Sequence, residues 1–583
     1  MAHAETVRMG GGRAIAEMLK LHGARFMFGM GGFQLLPLYD AIRDLGNEAP
    51  RHIHVNDERT AAFAADAYAR VSGRPGLCDG TLGPGATNLI TGLVEGLTGG
   101  SPIVAFTGDA NRDHAGKNMT QETPRQAELM SLVSKELIRL ERGPRIPEVV
   151  RRAFVGATSG RPGPVVINVP ENVTHGEWEF RADDFYAVEP TLGAAGRRIR
   201  PDARALARAA ELVHAAERPV LLVGGGVHLS EAYAELAGFA EQCGIPVAHT
   251  LSGKGGLACR HPLCLGLFGR FDRGANAAIK SADLLIAVGF KFGEIATVRY
   301  SLVPREASVI QIDIAPEELG KHQKVSVPLW ADCRAALDDL LQAVADTAPA
   351  QRARRQAYLA GLQEQQRRWR AEVQGRLQSS EQPIAVARLC YELTSALAEG
   401  GILVADGGFA AHWAGLFFET SRAGRTFVAN RGNASIGYGL PGGIGAKLAA
   451  GRTPVVALTG DVGFNMAMGE LETAMRERIP LVVVIVNNAA AGYVKALQHA
   501  MFGGRYQSAD LREIDYAGVA KALGCKGTRI RDAAMLAGAL KEALTETEGP
   551  VVLDVVTTRD PGQMLPAADA RTKAAAASGD RVM

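Results

Sequence analysis

The chain has 583 residues, and its 64 Lys and Arg nearly cancel its 62 Asp and Glu, leaving a formal net charge of +2. Glycine is the outlier at 68 residues, about 12% against a background near 7%. It has no three-residue period, which excludes collagen, and 47% apolar residues with almost no net charge exclude a disordered chain. No apolar run approaches the roughly 18–20 residues of a membrane span, and balanced charge speaks against a nucleic-acid footprint. At roughly 150 residues per domain, three or four domains are expected. The first residues lack the basic start and apolar core of a secretion signal. Seven scattered cysteines fit a reducing, cytoplasmic compartment. Cys259, His261 and Cys264 have no second ligand pair beside them, so buried thiols are preferred to zinc.

In chain order, short β-branched runs alternate with Ala-rich helical stretches and Gly breaks, which predicts βαβ units and parallel sheets. Residues 25–28, 52–55, 102–106 and 164–169 read as strands, and Glu58 opens a helix running to Arg70. This first block spans 1–182. A second, 195–342, carries strands at 219–223, 284–288 and 309–313. Residues 343–382, rich in Arg, Gln and Glu, read as an exposed helical linker. A third block, 383–560, has strands at 402–405, 454–458, 481–486 and 550–556, and 561–583 reads as a mobile tail. The expected class is α/β, with three doubly wound parallel-sheet domains.

Candidate chemistry sits at strand ends. Asp461 follows one strand of the third block and Asn487-Asn488 the next, and in an open parallel sheet those ends meet at the ligand crevice. Their oxygens suit Mg²⁺, and Gly460 and Gly463 let backbone amides approach an anion. The plainer alternative is a strand-end Asp cap and a turn of two asparagines. In the first block, a carboxylate in a helix's first turn is ordinarily favourable to the dipole. However, Ala61, Ala62, Ala64 and Ala65 make a slim apolar helix that could bury Glu58, and a buried carboxyl suits acid–base work. His114 and His412 are candidate proton shuttles. Gly224-Gly225-Gly226 looks like a dinucleotide loop but lacks the Gly-x-Gly-x-x-Gly spacing, so a plain βα turn is preferred.

These residues carry a resemblance. The run from Asp461 to Asn488 resembles the magnesium–diphosphate motif of thiamine diphosphate enzymes. Glu58 with Ala67-Tyr68-Ala69-Arg70 resembles their cofactor-activating glutamate and its helix. Residues 81–88, Gly437-Tyr438-Gly439-Leu440-Pro441, Gln121-Glu122 and Arg161-Pro162-Gly163-Pro164 match as well. The chain is similar to the acetohydroxyacid (acetolactate) synthase, pyruvate oxidase and benzoylformate decarboxylase group over residues 10–560.

The resemblance implies pyrimidine, central and pyrophosphate domains of the thiamine diphosphate fold. It implies Mg²⁺ on Asp461, Asn488 and the Ala490 carbonyl. The cofactor would be held by Pro84, Gly407, Gly408, Ala434, Ile436, Gly460, Val462 and Gly463, with Ile436 beneath it and the Ala434 carbonyl accepting from its amino group. Glu58 would hydrogen-bond the pyrimidine nitrogen, Phe33 and Gln34 would stand over the reacting carbon, and Gln121 matches a pocket residue of the family; His114 is a further catalytic candidate by its chemistry alone. A C–C bond beside a carbonyl, expected on a 2-oxo acid, would be cleaved or formed through a cofactor enamine. A homodimer or homotetramer with the site between subunits is implied, with no nucleic acid or membrane partner. FAD in the middle domain is the less favoured addition.

The pattern also departs from the family. Val462 replaces a glycine, Phe33 and Gln34 replace Gly-Ala, Leu497 stands where a Trp is expected, and Lys291 where an Arg is. Lys poorly replaces a bidentate clamp. These changes argue against a housekeeping acetohydroxyacid synthase and for a relative with another donor or acceptor. An acyl-CoA, a sulfo-aldehyde or a cyclic dione is the alternative substrate, and a dinucleotide-dependent oxidoreductase the alternative class.

Overall fold

The computed structural model describes residues 5–188 and 198–566. The chain opens with β1 (Thr6–Gly10), then builds a first sheet from β2 (Phe26–Gly29), β3 (Arg51–His54), β4 (Gly76–Gly80), β5 (Ile103–Asp109), β6 (Glu136–Arg139) and β7 (Pro164–Pro170). Strand β8 (Glu177–Arg181) returns to pair antiparallel with β1. The middle sheet holds β9 (Pro219–Val223), β10 (Val247–His249), β11 (Cys264–Leu267), β12 (Leu284–Val288), β13 (Ser308–Asp313) and β14 (Val327–Trp330). The third holds β15 (Ile402–Ala405), β16 (Phe427–Ala429), β17 (Val455–Gly460), β18 (Val482–Asn487), β19 (Lys526–Ile530) and β20 (Val551–Val556).

All three six-stranded sheets are parallel throughout, as the alternating pattern predicts. The outer two share one topology: β3-β2-β4-β5-β7-β6 and β16-β15-β17-β18-β20-β19 are the same order when each domain's strands are counted from its own first. The middle sheet runs β11-β10-β9-β12-β13-β14, the order of dinucleotide-binding folds. Each sheet therefore has one switch point where the order reverses: between β2 and β4, β9 and β12, and β15 and β17. Ligand crevices form at such points.

The alternation along a strand sorts side chains to two faces. In the first sheet Met27, Leu77, Val104 and Phe106 join one buried cluster, while Phe28, Cys78 and Ala105 join another. That second cluster also contains Val404, Ala457, Val483 and Ile485 of the third sheet, so the inner faces of the two outer domains share a single core.

Two helices close this shared layer, Glu58–Ser72 and Gly439–Ala450. Asp57 caps the first by accepting from Arg59 N, and Gly73 ends it in the left-handed region. Its Ala61, Ala62, Ala64, Ala65, Ala67 and Ala69 are all fully buried. Glycines meet it on three sides. A Cβ on Gly445 would lie 2.0 Å from Ala64 O, on Gly76 2.0 Å from Ala65 O, and on Gly92 2.3 Å from Ala62 Cβ. These three glycines allow close backbone packing around the helix that begins at Glu58.

The linker is helical, as Ala348–Arg354 and Gln356–Leu377, and largely exposed. It is pinned to the middle domain by Arg355, 1% exposed, which donates to the carbonyls of Val213, Ala216 and Cys243, and by Gln366, whose Nε2 donates to Leu265 O and Arg273 O. The expected tail starts as packed chain, since Met564 is fully buried and its carbonyl accepts from Trp413 Nε1 at 3.1 Å. The rest of that segment, 567–583, lies outside the described residues. Among the described residues no helix is long and apolar enough to cross a membrane.

Candidate active site

Three loop regions of the C-terminal domain converge near its switch point, the first made by the paired ends of β17 and β18. β17 ends at Gly460, and Asp461 opens the helix Asp461–Ala467. The Oδ1 of Asp461 accepts from Val462 N at 2.8 Å, while its Oδ2 is buried without a hydrogen-bond partner. Burial pushes this carboxyl up to about 6. The N–H groups of Val462, Asn488, Ala489 and Ala490 pull the other way, but none reaches Oδ2 with hydrogen-bond geometry. Asn488, 3% exposed just past β18, turns its Oδ1 to Ala490 N at 3.2 Å. Ala489 takes a left-handed φ of 48°, which folds this loop back beside Asp461. A buried carboxylate with one orphaned oxygen beside an amide oxygen and a loop carbonyl is a donor set of the hard kind Mg²⁺ takes. The residues present fit that ion.

The second loop follows β16 and carries Ala434, at φ 56°, and Ile436, an apolar side chain left 40% exposed. The third follows β15, where Asp406 is 1% exposed. Its carboxylate accepts from Gly407 N (2.7 Å), Gly437 N (3.2 Å), Tyr438 N (3.0 Å) and Thr459 Oγ1 (2.7 Å). One side chain thereby ties the loops after β15 and β16 to the end of β17. Gly407 lies directly under the second loop: a Cβ there would be 2.5 Å from Ser435 O and 2.6 Å from Ala434 O. Gly408 adjoins Ile436, and Gly463 packs on Asp406.

The N-terminal domain presents a separate cavity of about 430 Å³ at its own switch point. Glu58, 3% exposed, lines it and accepts from Asn88 Nδ2 at 3.0 Å. Phe33, Thr81, Pro84, Asn88 and Gln121 line it too, and every lining residue belongs to this domain. Phe33 is 57% exposed, with its ring 5.1 Å from that of His175.

Gln34 departs from expectation. It is buried, its Oε1 accepts from Thr81 Oγ1 at 2.8 Å and its carbonyl from Thr174 Oγ1 at 2.5 Å, so the amide braces the loop instead of overhanging the cavity. In the short 3-10 helix Phe33–Leu35 successive side chains are turned about 120° apart, so Gln34 does not follow Phe33 toward the cavity. His114 is exposed on the loop after β5 and does not line this cavity. His412 is buried between the rings of Phe271 and Tyr493.

The middle domain holds a further cavity of about 450 Å³ at its switch point, bordered by Gly224–Gly226 after β9 and Gly289 after β12. Lys291 lines this cavity and donates to Thr98 O at 2.9 Å. The seven cysteines are buried free thiols.

Sequence reasoning passes over Asp406 and Asn88. Asp406 is signalled by its place between a strand and Gly407-Gly408.

Three family profiles cover most of the chain. Residues 9–129 match the thiamine pyrophosphate enzyme N-terminal TPP binding domain, 206–340 its central domain, and 406–555 its C-terminal TPP binding domain. The chain is 35% identical over 568 residues to a probable acetolactate synthase large subunit of Methanocaldococcus jannaschii, covering 96% of this chain and 93% of that protein. It is 33% identical over 567 residues to the acetolactate synthase large subunit of Corynebacterium glutamicum, covering 95% and 87%. With the acetolactate synthase isozyme 2 large subunit of Escherichia coli the identity is 31% over 549 residues, covering 94% and 95%.

Proposed function

We propose, from the premise that the chain belongs to the thiamine pyrophosphate enzyme family, that it is a thiamine diphosphate- and Mg²⁺-dependent lyase or carboligase of the acetolactate synthase type. It would cleave or form a C–C bond next to a carbonyl, on a 2-oxo acid, in the cytoplasm. The observation that carries the reading is the buried Asp461 carboxylate with one orphaned oxygen beside Asn488, on the same loop cluster as Ala434 and Ile436. Asp461, Asn488 and the Ala490 carbonyl would hold Mg²⁺ and through it the diphosphate. Bound there, thiamine diphosphate supplies a carbon nucleophile and an electron sink for the bond change.

The chain's own work is positioning, proton placement and exclusion of water. Glu58 would hold a proton against the pyrimidine nitrogen, with Asn88 fixing one of its oxygens so that the other faces the ring. The Ala434 carbonyl would accept from the pyrimidine amino group, and Ile436 would support the bent cofactor. Phe33 and Gln121 would face the substrate, and Phe33 would narrow the space left for an acceptor.

Two observations favour a homodimer or larger homo-oligomer with the site between subunits. The Glu58 cavity is lined by one domain alone. On the C-terminal domain Ile436, Met466 and Met468 are each 40% exposed, an apolar margin that a second subunit would cover. For the middle domain, the strand order and the cavity at its switch point favour a nucleotide ligand, so FAD is the second reading for that domain. A yellow chromophore released on denaturation would establish it, and a colourless protein after loading with FAD would remove it.

The test of the main reading is turnover of pyruvate with several aldehydes, with and without thiamine diphosphate and Mg²⁺. Activity should need both. Glu58→Gln should lower kcat by about 10²–10⁴-fold while leaving the cofactor bound, and near-wild-type turnover would sink the mechanism.

A further inference from the structure

The loop that carries Ala434 and Ile436 is held from outside its own domain. Glu95 lies in the helix Pro84–Gly99 of the N-terminal domain and is fully buried. Its Oε1 accepts from Gly432 N at 2.8 Å, and its Oε2 from Asn433 N at 2.6 Å and Ala434 N at 3.1 Å. Three consecutive backbone donors thus converge on one carboxylate, which forces the loop to curl around it. Ala434 at φ 56° is part of that curl, in a region an L-alanine seldom adopts unaided.

The carboxylate is itself fixed. Arg70 donates to Glu95 Oε1 at 2.8 Å and to Asp66 Oδ2 at 2.7 Å. Tyr438, at the far end of the same loop, donates its hydroxyl to Asp66 Oδ2 at 2.7 Å. The approach is tight, since a Cβ on Gly432 would lie 2.3 Å from Glu95 O.

We infer that Glu95 is a positioning residue for the cofactor's pyrimidine end: it holds Ala434 in the left-handed conformation that turns the Ala434 carbonyl toward the ligand. The inference rests on the reading that thiamine diphosphate binds this loop. Glu95 touches neither cofactor nor substrate and acts through Ala434. The charge is needed because neutral Gln offers one acceptor oxygen where three N–H groups and Arg70 call for two.

The test is binding of thiamine diphosphate with Mg²⁺ to full-length Glu95→Gln by calorimetry, alongside inorganic diphosphate with Mg²⁺ as a probe that lacks the pyrimidine. Thiamine diphosphate should bind at least about tenfold more weakly, as expected for loss of hydrogen bonds to a charged group, while inorganic diphosphate binds as to wild type. Adding Ala434→Gly to Glu95→Gln should recover part of the loss, because glycine adopts positive φ without support. Equal thiamine diphosphate affinity in variant and wild type overturns the inference. So does equal weakening of both ligands, which would mark a general loss of the domain. If Glu95→Gln does not fold, Ala434→Val, which opposes the left-handed φ directly, must show the same selective loss, and unchanged binding there overturns the inference. A wild-type protein that binds no thiamine diphosphate would instead remove the functional reading itself.

Discussion

The N-terminal and C-terminal domains are built on one strand order, yet the carboxylates at their crevices are finished differently. Glu58 sits at the head of a 15-residue helix sheathed in alanine and glycine, and Asn88 satisfies one of its oxygens. Asp461 sits at the head of a seven-residue helix, buried with an oxygen left bare. The first arrangement fixes one carboxylate oxygen while the side chain still lines the cavity. The second leaves a buried oxygen unpaired, a deficit that a bound metal cation or a proton removes. A shared scaffold therefore specifies where a site lies, and the local supply of hydrogen-bond donors specifies what it can hold.

The largest effect that would break this contrast is expected at Asp461. Asp461→Asn should weaken Mg²⁺-dependent retention of thiamine diphosphate by at least about a hundredfold, since replacing even a ligand's hydrogen-bond partner commonly costs 10–100-fold; calorimetry with and without Mg²⁺ reads it. The same variant carries an opposite sign in stability. The folded pKa is raised from 3.8 to about 6, so the native state holds the proton more tightly than the unfolded chain does. The stability this gives is full below the unfolded pKa and is lost as pH rises through about 6. Metal-free Asp461→Asn should therefore unfold later than metal-free wild type at pH 7, by about 3 kcal/mol. Equal stability in denaturant titrations at pH 7 would show that Asp461 is not strained by burial.

A smaller effect is expected where the two domains meet. A side chain at position 445 collides with the Ala64 carbonyl, so Gly445→Ala should cost about 1–3 kcal/mol. Glu58 heads the helix that would be displaced, so its activity should fall with it. Unchanged stability and activity would show that the shared core does not set the position of Glu58.

The smallest stability effect belongs to Phe33. Because that ring is 57% exposed, Phe33→Ala should change stability by no more than about 0.5 kcal/mol. Competition assays should show a shift toward bulkier acceptors at unchanged cofactor affinity. An unchanged acceptor ratio would remove Phe33 from the substrate wall.

What the sequence made legible follows from the same physics. The strands at 219–223, 284–288 and 482–486 are continuous apolar runs because both faces of a parallel sheet are covered. β4, Gly-Leu-Cys-Asp-Gly, escaped because helix Glu58–Ser72 presses on Gly76 and because Asp79 is buried by bonds to His52 and Tyr39. Local pattern also found Glu58, Asp461 and Asn488, whose backbone settings are local. It missed Asp406 and Glu95, whose partners lie far along the chain: Glu95 and Gly432 are 337 residues apart. It set Gln34 over the cavity because sequence spacing does not reveal which way a three-residue turn sends its amide.

The central claim is that Glu58 of one copy and Asp461 of another complete one site. Co-expression of Glu58→Gln and Asp461→Ala chains, with purification of the mixed dimer, tests it directly. Each variant alone should be inactive. The purified mixed dimer should show about half of wild-type activity, since one of its two sites is then intact. A mixture that stays as inactive as either parent, although mixed dimers form and bind thiamine diphosphate, would contradict the account.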